Sequence, residues 1–495
     1  MGIIVNQSVK GTAYVYIGVL LGFITTGILL PRIYSTDQVG LLKILVAYSS
    51  LIATFGTLGI NGVTFRLFPF FNDEKQKHHG YLANILIIGL IGFLLTTALI
   101  LLLKPLLVEL SIKKSALFVE YINYLIILVF FQIFFSILDA YYSALLNSVH
   151  GTFLKEVFQR ILIIVSIGLY FFDVFDFHQF ILLYIASISI PTLYIIITLI
   201  RKKHFSLHTE FKFLNKGLLL SIGAVSLFNV LNGFSLIIIQ NVDVIMINSM
   251  VGLSATGIYS VCFFFGVIVN LPARSIIKIA NIVVSQAWKE NNLNVIRDIY
   301  NKSCLTLFIV GLLLFIGLWA NIDNIFHIIG PDYISGKWVI FFIGLSSLFD
   351  MITGANGSIL GTSKYYKVQT VFLLILVIIL VIANLLLIPV LGITGAAIGS
   401  TIALATLNLL RYLFMIYKYK MQPFNIKFVY IAIIGAASYF LSTFLPPLSN
   451  YIVDIFIRSA LLMILFCVPV YLLKISPDVN AKMDEILRIL KIIKK

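Results

Sequence analysis

Apolar runs about as long as a membrane crossing recur along this whole chain, and no other feature constrains its fold as strongly. An α-helix rises 1.5 Å per residue and needs ~20 residues to cross a ~30 Å hydrocarbon core. Runs of that kind lie near 11–31, 41–62, 81–103, 121–142, 156–173, 179–200 and 217–240. They continue near 244–262, 264–285, 303–320, 338–358, 368–388, 392–416, 427–446 and 452–473. Gly252, Gly257 and Gly266 break the stretch 244–285, and no charged loop divides it. Asp243–Gly257 therefore reads as a helix end and a tight turn, and the expectation is an all-α integral membrane protein with about 14 transmembrane helices. Only 11% of the 495 residues are charged and 60% are hydrophobic. Soluble domains carry roughly 25% charged residues, so no sizeable soluble domain is expected here.

Cations set the expected orientation. With the N-terminus inside, 25 of the 35 Lys and Arg fall in cytoplasmic loops or tails and 6 near the outer face. Short-loop Lys and Arg decide topology, so this split predicts a bacterial inner-membrane protein with both termini cytoplasmic. It also accounts for the net charge of +15 through anionic membrane lipids, with no nucleic-acid partner. The first apolar run follows a single cation, Lys10, and reads as a retained helix. The tail Ser476–Lys495 reads as a basic amphipathic helix on the cytoplasmic surface.

Enzyme signatures are missing, so the expectation is no enzyme, no catalytic residues, no cofactor and no metal. Gly330-Pro-Asp-Tyr-Ile-Ser-Gly336-Lys337-Trp338 has one residue too many for a phosphate loop, and Trp338 stands where a hydroxyl is needed. Cys262, Cys304 and Cys467 are far apart in apolar runs. His78 and His79 sit in a polar loop and read as a solvated turn.

The chain repeats itself. Ile33-Tyr-Ser-Thr-Asp-Gln-Val-Gly40 and Val251-Gly-Leu-Ser-Ala-Thr-Gly257 each place a polar turn before a glycine and an apolar helix, 217 residues apart. Ser136-Ile-Leu-Asp139 matches Ser347-Leu-Phe-Asp350, and Lys155 with Gln159 follows the first as Lys367 with Gln369 follows the second. The implied layout is two pseudo-symmetric six-helix lobes, 1–216 and 217–426, with a site between them, as in many transporters. Residues 427–495 would add two accessory helices and the tail.

Leu30-Pro-Arg32-Ile-Tyr-Ser-Thr-Asp-Gln-Val-Gly40, Asp243-Val-Ile-Met-Ile with Thr256-Gly257-Ile258-Tyr259, and Leu391-Gly392-Ile-Thr-Gly395-Ala-Ala-Ile-Gly399 carry a family likeness. On these residues the chain resembles the multidrug/oligosaccharidyl-lipid/polysaccharide exporter superfamily, and within it the bacterial polysaccharide (Wzx-type) flippases. The resemblance implies a V-shaped alternating-access fold that flips an undecaprenyl-diphosphate-linked oligosaccharide from the cytoplasmic to the outer leaflet. Its cargo would be a lipid-linked anionic oligosaccharide, and a polysaccharide polymerase or glycosyltransferases would be candidate partners.

Charges at membrane depth point to the same cargo. A central charge costs ~2.5–3.5 kcal/mol on insertion scales and so faces an interior path. Here cations outnumber anions, which suits an anionic head. The i, i+4 pair Arg274 and Lys278 follows Pro272 on one helix face. Together with Arg66, Lys43 and Asn270 they are the expected substrate-binding residues. Asp139, Asp350 and Asp243 are the expected coupling or gating residues, with pairing to nearby basic loops as the structural alternative for the first two. Asn229, Asn232, Gln240 and Asn241 would add polar groups to the interior. Arg411 and Arg458 read as snorkelling to headgroups. Two other classes stay open: an ion-coupled multidrug or cation antiporter on the same fold, expected to show an acidic pocket, and a membrane polysaccharide polymerase or ligase, expected to need a long outer loop.

Overall fold

The computed structural model describes residues 2–73, 75–145, 149–208 and 216–489. Among them every regular element is a helix. That follows from the medium: an apolar chain in lipid must satisfy its backbone within each segment. In chain order the principal helices begin with α1 (Gly2–Gly22), α2 (Thr36–Gly56), α3 (Ile60–Phe71), α4 (Tyr81–Ser111), α5 (Tyr124–Ala144) and α6 (Gln159–Phe171). Next come α7 (Phe177–Arg201), α8 (Lys216–Met250), α9 (Leu253–Val267), α10 (Ala273–Lys289), α11 (Leu293–Ala320) and α12 (Lys337–Ile352). The chain ends in α13 (Asn356–Thr362), α14 (Tyr366–Leu391), α15 (Ile393–Tyr419), α16 (Ile426–Thr443), α17 (Tyr451–Leu472) and α18 (Pro477–Ile489).

Among the described residues, 12 helical stretches are by length and composition apolar enough to cross a membrane. The chain is a multi-pass membrane protein. Two more long helical runs fall outside that number. One is Val149–Phe153 continuing through Leu154–Phe158 into α6, which carries Lys155, Glu156 and Arg160; the other is α8.

Local chemistry explains the ends. Ser35 caps α2 in a capping box, accepting from Gln38 N at 3.3 Å while Gln38 Oε1 accepts from Ser35 N at 3.0 Å. Asp176 and Gln179 do the same for α7, at 2.7 and 3.0 Å. Of the three glycines in 244–285, only Gly252 breaks the chain, with φ +135° at the turn after α8. Gly257 and Gly266 lie within continuous α9, where they admit close neighbours instead. The second break is at Leu271–Pro272, where a short 3-10 turn (Ile268–Asn270) ends and the ring of Pro272, which has no N–H to give, starts α10.

The chain divides by packing into two compact units, Met1–Ser260 and Val261–Lys495. In the first, α2 packs on α4, α5 and α8, and α7 on α5 and α6. Its core gathers Val63, Phe68, Phe71, Tyr81, Ile133 and Tyr141. His78 is buried against Phe68 and Tyr141, with its ring 6.3 Å from that of His204, so the expected solvated turn holds only around it. The two glycine motifs meet in this unit. Thr36 Oγ1 and Ser254 Oγ lie 2.7 Å apart. A Cβ on Gly40 would strike the Leu253 carbonyl, and one on Gly257 the Thr36 carbonyl.

In the second unit α15 packs on α12 and α14, and α11 on α10, α12 and α16. Tyr300, Cys304, Phe308, Met415, Ile431 and Phe466 are among its core residues. Arg458 does not snorkel. It is buried, grips Asp454 through Nε and Nη2 at 3.0 Å each, and donates to the Ser442 and Leu445 carbonyls. The i, i+4 spacing brings Asp454 onto its face of α17, and a bidentate pair is the satisfied form of a buried guanidinium. α18 docks on α17, with Tyr471 Oη donating to Asp484 and Asn480 to the Tyr471 carbonyl. The tail beyond Ile489 lies outside the described residues.

Candidate functional site

A cavity of about 810 Å³ with a mixed polar and apolar lining lies within the Met1–Ser260 unit. Val46, Ser50, Ala53 and Thr54 form one stripe of α2 along it, continued by Thr57 at the C-cap. The turn after α2, with Leu58 and Gly59 both at positive φ, starts α3 so that Asn61 joins the wall. α5 contributes Gln132, Ser136 and Asp139; the segment 151–159 contributes Thr152, Lys155, Glu156 and Gln159; α8 contributes Asn229 and Gln240. Amides and hydroxyls therefore outnumber charges around the space.

Glycines give these polar groups their room. A Cβ on Gly151 would collide with the Asp139 carboxylate, and one on Gly62 with the Asn229 amide. On α1, Gly18 and Gly22 stand against Glu156 and Arg160, two i, i+4 pairs in register. Glu156 and Arg160 form an ion pair at 3.0 Å with about a third of each side chain exposed. The helix winds as a π-helix at Leu154–Phe158, and α1 continues as one over Phe23–Leu29. Such single-turn bulges collect at functional sites because they re-aim side chains within a helix. In the second, Thr26 Oγ1 accepts from Lys43 Nζ at 3.5 Å.

Asp139 is half-buried, and its Oδ1 is enclosed beside Gly151 with no hydrogen-bond partner. Lys155 is within electrostatic reach of it and stacks over the Phe135 ring at 5.7 Å. Asn61 Nδ2 donates to Ser136 Oγ at 2.6 Å, and Gln132 Nε2 to Ser49 Oγ at 2.8 Å.

The second unit holds a closed amide network instead. Asp350 accepts from Asn270 Nδ2 at 3.0 Å and from Asn408 Nδ2 at 3.2 Å. Arg411 donates to Asn408 Oδ1 at 3.3 Å and to Gln369 Oε1 at 3.1 Å. Arg411 therefore turns inward and does not snorkel, and Gly357 leaves space for its guanidinium.

The expected site residues divide accordingly. Asp139 lines the cavity, and Lys43 stands one turn along α2 from Val46. Arg66 is exposed on α3 and Asp243 is buried, accepting from Tyr259 Oη at 2.6 Å; neither lines the cavity. Asn270 and Asp350 are brought together. Arg274 and Lys278 share the exposed face of α10, opposite buried Ala273, Ala280 and Val284. Asn229 and Gln240 line the cavity, and the side chain of Asn232 lies outside the described residues. Sequence reasoning missed Asn61, Gln132, Gln159, Glu156 and Arg160. The matched spacings Gly18/Gly22 and Glu156/Arg160 were the available signal for the last two.

The sequence model of the family described as polysaccharide biosynthesis protein matches residues 8–282, more than half of the chain. The chain belongs to that family. Among solved structures, this polysaccharide biosynthesis family member is similar to the lipid II flippase MurJ in an inward closed conformation. Identity there is 15% and the TM-score 0.72, over 94% of this chain and 99% of that one. It is also similar to an inward-facing multidrug resistance MATE family transporter of the MOP superfamily, at 16% identity and TM-score 0.60, over 81% of this chain and 94% of that one. A MOP superfamily transporter from Pyrococcus furiosus follows at 18% and 0.56, over 84% and 95%. The fold is therefore that of the multidrug/oligosaccharidyl-lipid/polysaccharide exporter superfamily, as the glycine motifs led us to expect. No curated protein matches the chain.

Proposed function

We propose that this protein flips an undecaprenyl-diphosphate-linked oligosaccharide from the cytoplasmic to the outer leaflet of the bacterial inner membrane by alternating access. The observation that carries this reading is the cavity of about 810 Å³, walled by amides and hydroxyls inside an otherwise apolar helical unit. A hydrated sugar head cannot cross hydrocarbon without such groups, because each unpaired polar group costs roughly 2–7 kcal/mol there. In this reading Arg274, Lys278, Arg66 and Lys43 hold the diphosphate, with Asn270 positioned by Asp350. The prenyl tail remains in lipid. Lobes 1–216 and 217–426 rock against each other, with 427–495 as an appendage. All fourteen long helical runs cross the membrane and both termini are cytoplasmic. Asp139, Asp350 and Asp243 govern coupling or gating, and a polymerase or glycosyltransferases supply and consume the cargo.

The test replaces Arg274 and Lys278 with Ala and measures surface polysaccharide at matched protein level. We expect polymer output to fall by about ten-fold or more, since each lost charge-assisted contact is worth ~1.5–3 kcal/mol. Normal output from the double variant would remove these residues from the site. The acidic lining residue Asp139 favours a cation antiporter, and dye accumulation in cells lacking the protein would support that second reading.

A further inference from the structure

The charge and hydrogen-bonding character of the cavity carries a statement about what it accepts. Its lining charges are Asp139, Lys155 and Glu156. Glu156 is neutralised by Arg160. That leaves Asp139 and Lys155, with the carboxylate wedged beside Gly151 and without a hydrogen bond on Oδ1. Asn61 Oδ1 is a second enclosed acceptor with no partner. Two enclosed acceptors therefore stand unfilled, and beyond the Glu156–Arg160 pair the lining charges are one carboxylate and one ammonium. A ligand bringing hydroxyl and amide N–H groups supplies what is lacking. A carboxylate is acceptor-only and would be desolvated beside Asp139. The volume suits a short oligosaccharide, since clefts that enclose drug-sized ligands measure roughly 300–1,000 Å³.

We propose that the cavity bounded by α2, α5, α8 and the 151–159 segment is the sugar subsite, and that it takes an uncharged, hydroxyl- and N-acetyl-rich oligosaccharide in preference to a uronic-acid-bearing one. This rests on the reading that the cargo is a polyprenyl-diphosphate-linked glycan, and it assigns the glycan and the diphosphate to different groups. Asp139 and Asn61 accept from sugar donors, while the amides of Gln132, Gln159 and Asn229 adapt to either role.

The full-length protein, purified in lipid nanodiscs, is titrated with three synthetic probes. These are a polyprenyl diphosphate bearing an N-acetylhexosamine-containing tetrasaccharide, the same lipid with one sugar replaced by a hexuronic acid, and the bare polyprenyl diphosphate. The neutral glycolipid is expected to bind about ten-fold tighter than the bare lipid and about ten-fold tighter than the uronate, a factor that lies within the range for leaving a buried polar group unpaired. Asp139→Asn is expected to narrow the preference for neutral over uronate to about three-fold or less. The wild-type comparison stands whether or not that variant folds. Equal binding of neutral and uronate lipids would overturn the charge preference, and equal binding of glycosylated and bare lipids would overturn the sugar subsite while leaving a lipid-diphosphate carrier intact. Failure of all three probes to bind would overturn the cargo reading and the subsite with it.

Discussion

Asp139 and Asp350 close the same four-residue pattern, Ser136-Ile-Leu-Asp139 and Ser347-Leu-Phe-Asp350, in two units of one chain, yet their surroundings are opposite in kind. Asp350 is held from two sides, by Asn270 and Asn408, with Arg411 one residue further along the chain of hydrogen bonds. Asp139 lines open space with one oxygen enclosed and unbonded. A carboxylate whose acceptors are filled by the protein holds helices in place. One whose acceptors are left over is available to something that comes and goes. The same residue closes both patterns, and the neighbours decide its use: amides on α15 and the 268–270 turn in one unit, glycine and a distant lysine in the other.

The glycine motifs make the opposite comparison, because they meet each other reciprocally. Gly40 faces the Leu253 carbonyl and Gly257 the Thr36 carbonyl. Leu at either position should therefore do equal damage, roughly 3 kcal/mol or more, because rigid backbone and not a movable side chain blocks it. Yield and monodispersity in detergent would read this for Gly40→Leu and Gly257→Leu side by side. If one variant behaves like the wild type, the contact is not reciprocal.

The carboxylates should instead respond unequally. Asp350→Ala strands the amides of Asn270 and Asn408 and removes the carboxylate nearest half-buried Arg411, a loss of about 2–4 kcal/mol. Asp139→Ala removes a group with no hydrogen bond on its enclosed oxygen and should shift stability by about 1 kcal/mol or less while still abolishing transport. Thermal unfolding of both proteins, set against surface polysaccharide, measures the contrast. A larger stability loss at Asp139 would reverse it.

Much of this was legible before any coordinates. Crossing-length runs gave the helices, and the paired motifs located residues that do touch, Thr36 with Ser254, while the break at Pro272 falls inside a run read as continuous over 264–285. Asp454 and Arg458 at i, i+4 could have been read as a buried pair. The cavity was not legible, for a physical reason. Uncharged amides and hydroxyls cost little in an apolar helix, so Asn61 and Gln132 do not stand out from their runs, and Gln159 stands out only as the repeat counterpart of Gln369. Glu156 and Arg160 cancel in any charge census. The π-turn at Leu154–Phe158 also shifts the helical register, so counting by 3.6 misassigns the face beyond it. Spacing did place Arg274 and Lys278 on one face, but it says nothing of what that face meets.

A smaller effect tests how tightly the cavity wall is fitted. Gly151→Ala puts a methyl into the space of the Asp139 carboxylate, a movable neighbour that can turn away. The expected stability change is about 1 kcal/mol, with transport lowered about ten-fold as the carboxylate leaves its position. Gly168→Ala, with nothing within 4 Å, is the matched control and should leave both unchanged. Equal behaviour of the two alanines would mean that Asp139 need not stand where it does.

The smallest expected effect belongs to the Glu156–Arg160 pair, which is one-third exposed and spaced i, i+4. Pairs of that exposure are worth about 0.2–1 kcal/mol, so Glu156→Gln alone should scarcely move the melting temperature. Its consequence lies in charge balance. Without Glu156, Arg160 stands uncompensated near Lys43, and the cavity wall gains a net positive charge. Glu156→Gln should therefore improve binding of a uronate-bearing lipid relative to a neutral one by about three-fold, whereas loss of an ion pair that served only stability would leave that ratio unchanged. A double-mutant cycle with Arg160→Gln separates the two. If the second change restores the neutral preference, the pair sets the charge of the cavity. If it changes only the melting temperature, the pair is a strut between the 154–158 turn and α6, and Asp139 alone sets the preference.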